Sequence, residues 1–338
     1  MARALLTISR SALLENVKNL ASFSNKKVIA VVKADAYGVG ARLVAPVLGE
    51  SPFVDAFAVA CAQEGALLRE AGVKKKVLVL GGLLEDELEL FTRYELTPVV
   101  SDEEQLRLAR RLGLPFHVKY DTGMGRLGFT RRLVKHKLVE GVMTHLSSPA
   151  DREFTLKQIK SFARIVKAYR GVWVHLESSA GLVYRVPFAT HVRVGLALYG
   201  EKPLKDYPVK LVPALTLKAR VVSVKRLKAG HPVSYGRTFV TKKPTRVAVV
   251  AFGYADGFAK SLSNRGYFLW RGHRLPVLGA VTMDLTVVGL GSLPVKPGDW
   301  VTVVSPERSF TELARDAGTI PYELMCNLSP RVERKLVP

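Results

Sequence analysis

An eight-stranded β/α barrel followed by a mostly antiparallel β domain is the fold class that the sequence predicts, and three observations support it. Short apolar runs such as VIAVV and KVLVL alternate with amphipathic helical segments from about Ser9 to Gly200. The runs are apolar on both faces, which is typical of parallel strands buried on both sides. After about Lys210, β-rich runs joined by glycine and proline turns replace this alternation. We predict a barrel over residues 1–210 and a β domain over residues 211–338.

The alternating region holds about eight strand-and-helix units, which favours a closed, TIM-like barrel over an open α/β sheet. The apolar residues of SALLENVKNLASF fall on one helical stripe after a serine suited to N-capping. In SDEEQLRLARRLG we expect Ser101 to cap the helix, Glu104 to complete a capping box and Gly113 to end the helix. In the β domain only TELARDAG is expected to be helical.

The chain carries 51 lysines and arginines against 29 acidic residues, a formal net charge of +22. Such a field attracts anions, among them nucleic acids, phosphorylated cofactors and carboxylate substrates. The basic residues are spread along the chain, with no basic tail, no zinc-knuckle spacing and no basic strand rich in aromatic residues. We therefore interpret the charge as a solvated basic surface and expect no nucleic acid partner.

The hydrophobic content of 48% fits a globular protein with a sizeable core. The two cysteines, Cys61 and Cys326, are too few for a disulfide framework and form no CxxC pair, which favours a reducing compartment. The amino-terminal residues contain no apolar segment long enough for a signal peptide, and no window approaches the length of a membrane span. The expected location is the cytoplasm, without a membrane partner.

Polar residues follow several of the predicted barrel strands. Active sites of β/α barrels form at the carboxyl ends of the strands, so these residues are expected to converge on one rim. They are Lys33, Lys119, Asp121, His145, Glu177, Ser178, Ser179 and Arg193. Each alone is more simply explained as a structural histidine, an ion-pair partner or a solvated lysine. Five such strand ends on one face indicate a functional site.

The residue types at these strand ends indicate the chemistry. The sequence has no His-x-His pair on a strand, no HExxH motif that would support a metal site and no GxSxG motif that would support a serine hydrolase. A lysine at the inner rim, beside glycine-containing turns and hydroxyl groups, suits covalent attachment of pyridoxal phosphate (PLP). A lysine amine becomes nucleophilic toward an aldehyde when burial or nearby cations lower its pKa. We therefore expect Lys33 to be the reactive residue and expect no metal.

Several sequence blocks, spread over both predicted domains, carry a resemblance to a known family. They are AVVKADAYGVG, VKYDTGMGRLGF, HVRVGLALYG, VSYGRTF, GYADGF, GAVTMDLT and YELMCNLSPRV. The first resembles the PLP attachment motif of the alanine racemases, and the others are similar to further blocks of that family. The resemblance implies a PLP-dependent racemase that interconverts L- and D-alanine and supplies D-alanine for peptidoglycan. It also implies a homodimer in which the partner completes each active site.

The resemblance also implies roles for individual residues. Lys33 would carry PLP, and Tyr235 would be the acid/base on the opposite face of the cofactor. PLP would be contacted by Tyr37, His145, Ser179, Arg193, Gly195 and Leu196. Arg126 and the backbone of Met283 would bind the substrate carboxylate, and supporting positions would be taken by Lys119, Asp284 and Tyr254. Lys119 corresponds to a lysine that is carbamylated in several relatives.

The chemistry of these residues agrees with racemisation. A proton must leave one face of the substrate Cα and return to the other, so two bases are needed on opposite sides of a flat cofactor. Tyr235 would work near neutral pH only beside cations such as Arg126 or a charged His145, because a free tyrosine has a pKa of about 10. Arg193 can only donate hydrogen bonds, so the pyridine nitrogen beside it should stay unprotonated. A weaker electron sink of this kind disfavours transamination and decarboxylation.

Four positions depart from the family pattern. Val39 stands where histidine is common, Ser178 where asparagine is frequent, Thr282 where cysteine often stands, and Pro330 in place of a tyrosine that touches the phosphate in some relatives. None of them is one of the two bases, so the reaction type is kept while the substrate range is open. A broad-specificity or serine racemase of the same fold is therefore an alternative. Arg193 and Tyr235 argue against a related decarboxylase, and the β domain argues against a single-domain, non-catalytic PLP carrier.

Overall fold

The computed structural model describes residues 2–130 and 132–338. The chain folds into two compact units. One unit comprises Ala12–Ala36 and Gly40–Val212, and the other comprises the amino-terminal residues to Ser11, Tyr37–Val39 and Pro213–Pro338. The division of the chain into a barrel domain over residues 1–210 and a β domain over residues 211–338 stays a prediction.

Strands and helices alternate along most of the first 200 residues. In chain order they are β1 (Ala4–Ser9), α1 (Arg10–Ser24), β2 (Lys27–Val31), α2 (Lys33–Tyr37), α3 (Ala41–Gly49), β3 (Val54–Val59), α4 (Ala62–Glu70), β4 (Lys76–Val79), α5 (Leu88–Arg93), β5 (Thr97–Val100), α6 (Glu103–Leu112), β6 (Phe116–Lys119), β7 (Val139–Met143), α7 (Arg152–Val166), β8 (Trp173–His175) and β9 (His191–Val194). Short 3-10 turns lie at Glu85–Glu87, Gly181–Tyr184 and Leu196–Tyr199. Among the described residues, β7 follows β6, and β9 follows β8, without an α-helix between them.

Strands β2 to β9 form a closed barrel in which neighbours along the chain are also neighbours in the sheet. Every pairing is parallel. The barrel closes between β9 and β2, where Lys27 lies opposite His191 and Ala30 opposite Val194. The apolar strand residues are buried, as the runs without polar alternation require. The predicted eight-stranded barrel is confirmed, and the carboxyl ends of its strands share one rim.

Helix α6 shows where the cap prediction was one residue off. The N-cap is Asp102, whose Oδ1 accepts the Gln105 N–H at 2.9 Å. Oε1 of Gln105 accepts the N–H of Ser101, the residue before the N-cap, at 3.0 Å. The predicted cap at Ser101 with Glu104 is therefore wrong, because the neighbouring aspartate takes the N-cap position. Gly113 ends the helix in the left-handed conformation, as predicted.

The second unit is built on a mostly antiparallel sheet. The further elements are β10 (Leu215–Leu227), β11 (Pro232–Val233), β12 (Phe239–Val240), β13 (Thr245–Val250), β14 (Tyr267–Trp270), β15 (His273–Pro276), β16 (Thr286–Gly289), β17 (Trp300–Val304), α8 (Phe310–Ala317), α9 (Pro321–Cys326) and β18 (Glu333–Val337). Short 3-10 turns lie at Tyr235–Arg237, Tyr254–Asp256 and Lys260–Leu262. The long strand β10 pairs antiparallel with β1, β13 and β17, and β1 pairs parallel with β18. The predicted antiparallel β domain is confirmed.

Two helices follow β17, where the sequence led us to expect one. Helix α8 corresponds to TELARDAG and begins with a capping box between Ser309 and Glu312. Helix α9 was not expected, although Pro321 at its first turn is a recognised start signal. Within the described residues, no helix is both long and apolar enough to cross a bilayer.

Candidate active site

The barrel rim brings together most of the polar residues predicted at strand ends. Lys33 follows β2, Lys119 ends β6, His145 follows β7, and Arg193 lies in β9. The Arg193 guanidinium donates a hydrogen bond to Nδ1 of His145 at 3.1 Å. The charges of Lys33, Lys119 and Arg193 all act on His145. These four side chains therefore share one electrostatic environment at the carboxyl ends of the strands.

Lys33 is followed by backbone in an unusual conformation. Ala34, Asp35, Ala36 and Tyr37 have φ values of 51°, 50°, 56° and 59°, which is a left-handed turn of non-glycine residues. Such a turn costs about 1–2 kcal/mol per residue and occurs where surrounding contacts hold it. Lys33 itself is exposed in the single chain, and its charge acts on the buried Lys119 and on His145.

Hydrogen bonds hold this turn at both ends. Within the barrel unit, Oδ1 of Asp35 accepts the Ala41 N–H at 2.7 Å. Within the other unit, Arg334 on β18 donates to the Gly38 carbonyl through Nε at 3.1 Å and Nη2 at 2.8 Å. A side chain at position 38 would lie 2.1 Å from the Met325 carbonyl oxygen, so Gly38 is required for this approach.

Tyr37 is suited to donate a hydrogen bond. The ring is buried, and its centroid lies 5.7 Å from that of Tyr322. Burial, and then the neighbouring Tyr322 and Cys326, raise the pKa of the Tyr37 phenol well above its usual value. Tyr37 therefore keeps its proton at any physiological pH, as a phosphate-binding hydroxyl should.

Arg193 is the most buried cation of the rim, with only 4% of its surface exposed. Its guanidinium donates to Nδ1 of His175 at 2.9 Å and to the Thr144 carbonyl at 2.9 Å, in addition to His145. Burial lowers the pKa of Arg193 to about 10, partly offset by Glu177. Arg193 therefore stays protonated at neutral pH and can only donate.

His145 is neutral in this environment. Burial, followed by the charge of Arg193 and then Lys119, lowers the pKa of His145 to about 3. The expectation that a charged His145 assists Tyr235 is therefore wrong. Because Arg193 can only donate, Nδ1 of His145 must be the acceptor and the ring proton lies on Nε2. His145 can thus offer one hydrogen-bond donor and no positive charge.

Lys119 is held in a cationic and nearly dry position, with 5% of its surface exposed. Burial, then Arg193 and Arg126, lower the pKa of its amine to about 8. The neighbouring Asp121 organises the loop that carries Arg126, because Oδ2 of Asp121 accepts the Arg126 N–H at 3.1 Å. Its Oδ1 accepts the N–H groups of Gly123 and Met124 at 2.8 and 2.7 Å.

A second group of predicted site residues lies in the other unit and is largely exposed. Tyr235 is 77% exposed, Met283 53% and Tyr254 44%. The Tyr254 and Ala255 amides donate to the carbonyls of Thr282 and Met283, both at 3.0 Å, so the structure brings Tyr254 and Met283 together. Asp284 is paired with Arg331 at 2.7 Å.

The backbone before Tyr235 is also strained. Ser234 has φ 63° and ψ −169°, a region that non-glycine residues rarely occupy. Its hydroxyl donates to the Ala280 carbonyl at 2.6 Å. Asn264 supports the same loop from two sides, because its Oδ1 accepts the Gly279 N–H at 2.6 Å and its Nδ2 donates to Thr238 at 3.0 Å. The loop is therefore a defined structure although the phenol at its tip is exposed.

Comparison with known proteins shows which family has this arrangement. Residues 8–203 match the family described as the alanine racemase N-terminal domain, and residues 214–336 match the alanine racemase C-terminal domain. The chain is 60% identical to the alanine racemase of Aquifex aeolicus over 338 residues, covering 100% of both chains. It is 59% identical to that of Aquifex pyrophilus, covering 100% of this chain and 99% of that protein. The chain belongs to the alanine racemase family.

Solved structures of alanine racemases have the same fold. That from Bartonella henselae, which carries covalently bound pyridoxal phosphate, has a TM-score of 0.91, 30% identity and 100% coverage of both chains. The biosynthetic alanine racemase from Pseudomonas aeruginosa has a TM-score of 0.90 and 31% identity, again with 100% coverage of both chains. The family is one of PLP-dependent isomerases, and these relatives do not favour the broader-specificity alternative.

The barrel rim of this alanine racemase family member fits the phosphate of PLP. In β/α barrels, phosphate commonly binds between the loops after the seventh and eighth strands and the start of a short extra helix. Here Ser179 follows the seventh barrel strand, and the 3-10 turn Leu196–Tyr199 follows the eighth. Oγ of Ser179 accepts the Gly195 N–H at 3.1 Å, which brings the two loops together. The residues predicted to contact the phosphate, Ser179, Gly195 and Leu196, thus lie on two adjacent loops at the ends of the seventh and eighth barrel strands.

Sequence reasoning missed two residues that shape the rim. His175 lies inside the barrel and accepts from Arg193, and alternation along WVHLE could have indicated its inward position. Glu64 lies on a helix rather than at a strand end and contacts the turn beside Lys33. No strand-end signal points to a residue on helix α4.

Proposed function

We propose that this protein is a PLP-dependent alanine racemase in which Lys33 and Tyr235 are the two proton carriers. The observation that carries the proposal is the rim of Lys33, Lys119, His145 and Arg193 in a chain that is about as long as its alanine racemase relatives and 60% identical to one of them. The rim supplies a reactive amine, a permanent donor and a surplus of positive charge for an anionic cofactor and substrate.

When bound, PLP supplies an electron sink that acidifies the Cα–H bond of the amino acid. The proposed work of the protein is to hold the cofactor and to move one proton. Tyr37, Ser179 and the amide of Leu196 would hold the phosphate, and the Gly195 amide, which donates to Oγ of Ser179, would orient that hydroxyl. Arg193 would donate a hydrogen bond to the pyridine nitrogen and leave it unprotonated, because a guanidinium does not give up its protons at neutral pH.

The proton transfer is proposed to use both faces of the bound substrate. The Lys33 amine takes or returns the Cα proton on one face, and the Tyr235 phenol does so on the other. Arg126 and the Met283 backbone orient the substrate carboxylate. Since His145 is neutral, we propose that Arg126 supplies the positive charge beside the Tyr235 phenol, with His145 contributing a hydrogen bond from Nε2.

The proposed active unit is a homodimer in which Tyr235 of one copy serves Lys33 of the other. The exposure of Tyr235, Met283 and Tyr254 on the second unit supports it, because large exposed side chains of this kind mark interaction surfaces. Lys33→Ala and Tyr235→Phe variants, each strongly impaired alone, should regain activity when their subunits are mixed and exchanged. Mixtures that stay inactive after confirmed subunit exchange would count against a shared site.

Turnover of L-alanine, measured by oxidation of the D-alanine formed with D-amino-acid oxidase, tests the proposed reaction. We expect L-alanine to be converted in the presence of PLP and L-serine to be converted much more slowly. The proposal fails if the PLP-loaded protein leaves L-alanine unchanged. We further propose that the enzyme supplies D-alanine for peptidoglycan in the cytoplasm, where reduced cysteines are normal.

A further inference from the structure

The turn beside Lys33 is not stabilised by the hydrogen bonds between the barrel strands. Pairing of β2 with β3 continues one residue past β2, where the Val32 N–H donates to the Ala58 carbonyl at 2.9 Å. The backbone then turns left-handed from Ala34 onward. A left-handed turn of L-residues is intrinsically unfavourable, so contacts from outside the turn must fix it.

Glu64 on α4 provides such a contact. Its Oε1 accepts the Ala34 N–H at 2.7 Å, and its Oε2 accepts the Ala60 N–H at 2.7 Å. These two amides follow neighbouring strands, β2 and β3, just where their mutual hydrogen bonding stops. One carboxylate therefore continues the connection between the strand ends with two charge-assisted hydrogen bonds.

Ala60 is itself fixed from the opposite side. Its carbonyl accepts the Gly81 N–H at 2.9 Å from the end of β4. A side chain at position 81 would lie 2.2 Å from that carbonyl oxygen, so only glycine permits this approach. Glu64 thus links Ala34, the residue after Lys33, to Ala60. Ala60 is in turn hydrogen-bonded to Gly81, which follows β4, the third strand of the barrel.

We propose that Glu64 is a positioning residue for Lys33. By fixing the Ala34 amide, Glu64 sets the direction in which the backbone leaves β2, and so the direction of the Lys33 side chain. The hydrogen bonds do not depend on the activity of the protein, but their catalytic consequence rests on the proposed racemase function. Glu64 touches neither the proposed cofactor nor the substrate site in this role.

Three variants separate positioning from a general effect on stability or charge. Glu64→Ala removes both acceptors. Glu64→Gln keeps one acceptor oxygen, because its amide nitrogen can only donate. Glu70→Gln removes the same charge from the same helix, where Glu70 is exposed and paired with Arg42 at 2.8 Å. The measurements are amide hydrogen exchange at Ala34 and Ala60, the rate at which borohydride fixes PLP on Lys33, and kcat and KM for alanine.

For Glu64→Ala we expect exchange at both amides to rise at least about tenfold. We expect borohydride fixation to slow, and kcat to fall about tenfold to a hundredfold while the KM for alanine changes much less. Glu64→Gln should release only one of the two amides and lose less activity. Glu70→Gln should match the wild type in every measurement.

Unchanged exchange at Ala34 in Glu64→Ala would overturn the proposal, and so would an equal loss of activity in Glu70→Gln. If Glu64→Ala does not fold, Glu64→Gln is the test of the proposal. Exchange at both amides and a kcat that match the wild type in Glu64→Gln would then overturn the proposal. The failure of the proposed function looks different. In that case the wild type does not racemise alanine, while Glu64→Ala still releases the two amides and slows PLP fixation.

Discussion

The barrel rim around Lys33 and the loop around Tyr235 each position a proposed proton carrier, but they do so with different surroundings. Both place a proposed proton carrier next to strained backbone, at Ala34–Tyr37 and at Ser234. The rim combines an exposed Lys33 with hydrogen-bonded polar residues of the barrel such as Arg193 and His145, whereas Tyr235 is 77% exposed on a loop that has no such charged hydrogen-bond partner within the described part of the chain. The polar residues of the rim are thus organised within one chain, whereas the loop holds Tyr235 on hydrogen-bonded backbone and, in the proposed dimer, is covered by the partner.

The comparison is tested most strongly by removing each carrier in turn. Lys33→Ala should abolish attachment of PLP and lower turnover by about 10⁴-fold, at the upper end of the range for proton-transfer residues. Tyr235→Phe should keep the absorbance of the attached cofactor while lowering turnover by about 10²–10³-fold. Absorption spectra and the coupled assay measure both effects. Loss of the cofactor band in Tyr235→Phe would show that the two regions do not have separate tasks.

The Tyr235→Phe variant also tests which face of the substrate Cα each proton carrier serves. If Lys33 and Tyr235 act on opposite faces, Tyr235→Phe should raise the primary deuterium isotope effect of alanine in one direction only. The measurement uses α-deuterated L- and D-alanine in separate assays. Equal changes in both directions would contradict the two-face assignment.

Strain at Ser234 gives the next largest expected effect. Ser234→Ala loses the hydrogen bond to Ala280 but keeps the strained backbone, and Ser234→Gly loses the bond while relieving strain of about 1–3 kcal/mol. We expect Ser234→Gly to be the more stable variant and yet to lose more turnover, about tenfold, because its loop is freer. Urea unfolding and kcat measurements decide the order. A Ser234→Gly enzyme with full turnover would show that the loop needs no such constraint.

Tyr37 tests the phosphate side of the rim. Tyr37→Phe removes one hydroxyl that burial keeps protonated, so PLP should dissociate about five- to tenfold more readily. Fluorescence titration of cofactor-free protein with PLP measures this change. Unchanged affinity would place the phosphate away from Tyr37.

The charge of Lys119 is expected to affect stability, with little effect on turnover. The folded pKa of about 8 lies below the free value of 10.5, so between these pH values the unfolded chain binds the proton and the folded chain does not. Stability should therefore rise with pH across this window and be reduced below it by about 1–3 kcal/mol relative to Lys119→Met. Unfolding in CO₂-free buffer from pH 7 to 10.5 tests the sign. A constant difference between the two proteins would show that Lys119 is not perturbed.

Sequence reasoning reached the barrel and its rim because both follow from local patterns. Apolar runs alternate with amphipathic helices, and Lys33, Lys119, His145 and Arg193 lie at or near strand ends, where topology must bring them together. The place of β1 could not be read in the same way, because its partners β10 and β18 lie more than 200 residues along the chain. No local signal specifies so distant a pairing.

Charge and exposure were the least predictable properties of the site. The sequence permits a charged or a neutral His145, and only the burial of the ring beside Arg193 and Lys119 decides for the neutral form. The N-cap at Asp102 rather than Ser101 could not be predicted either, because serine and aspartate are both favoured N-cap residues and the two are adjacent. Glu64 was missed because its importance comes from two backbone amides that only the folded chain brings together.

The contact between Arg334 and Gly38 links the turn beside Lys33 to the order of protein synthesis. The two residues are 296 positions apart, so the ribosome makes the guanidinium long after the glycine. At ordinary rates of translation this delay lasts roughly 15–60 s, during which the earlier strands can already assemble. Gly38 gains its partner only at the end of that interval. We therefore expect a newly made molecule to acquire its vitamin-derived cofactor late, when the guanidinium has been made, rather than as soon as the barrel strands have emerged.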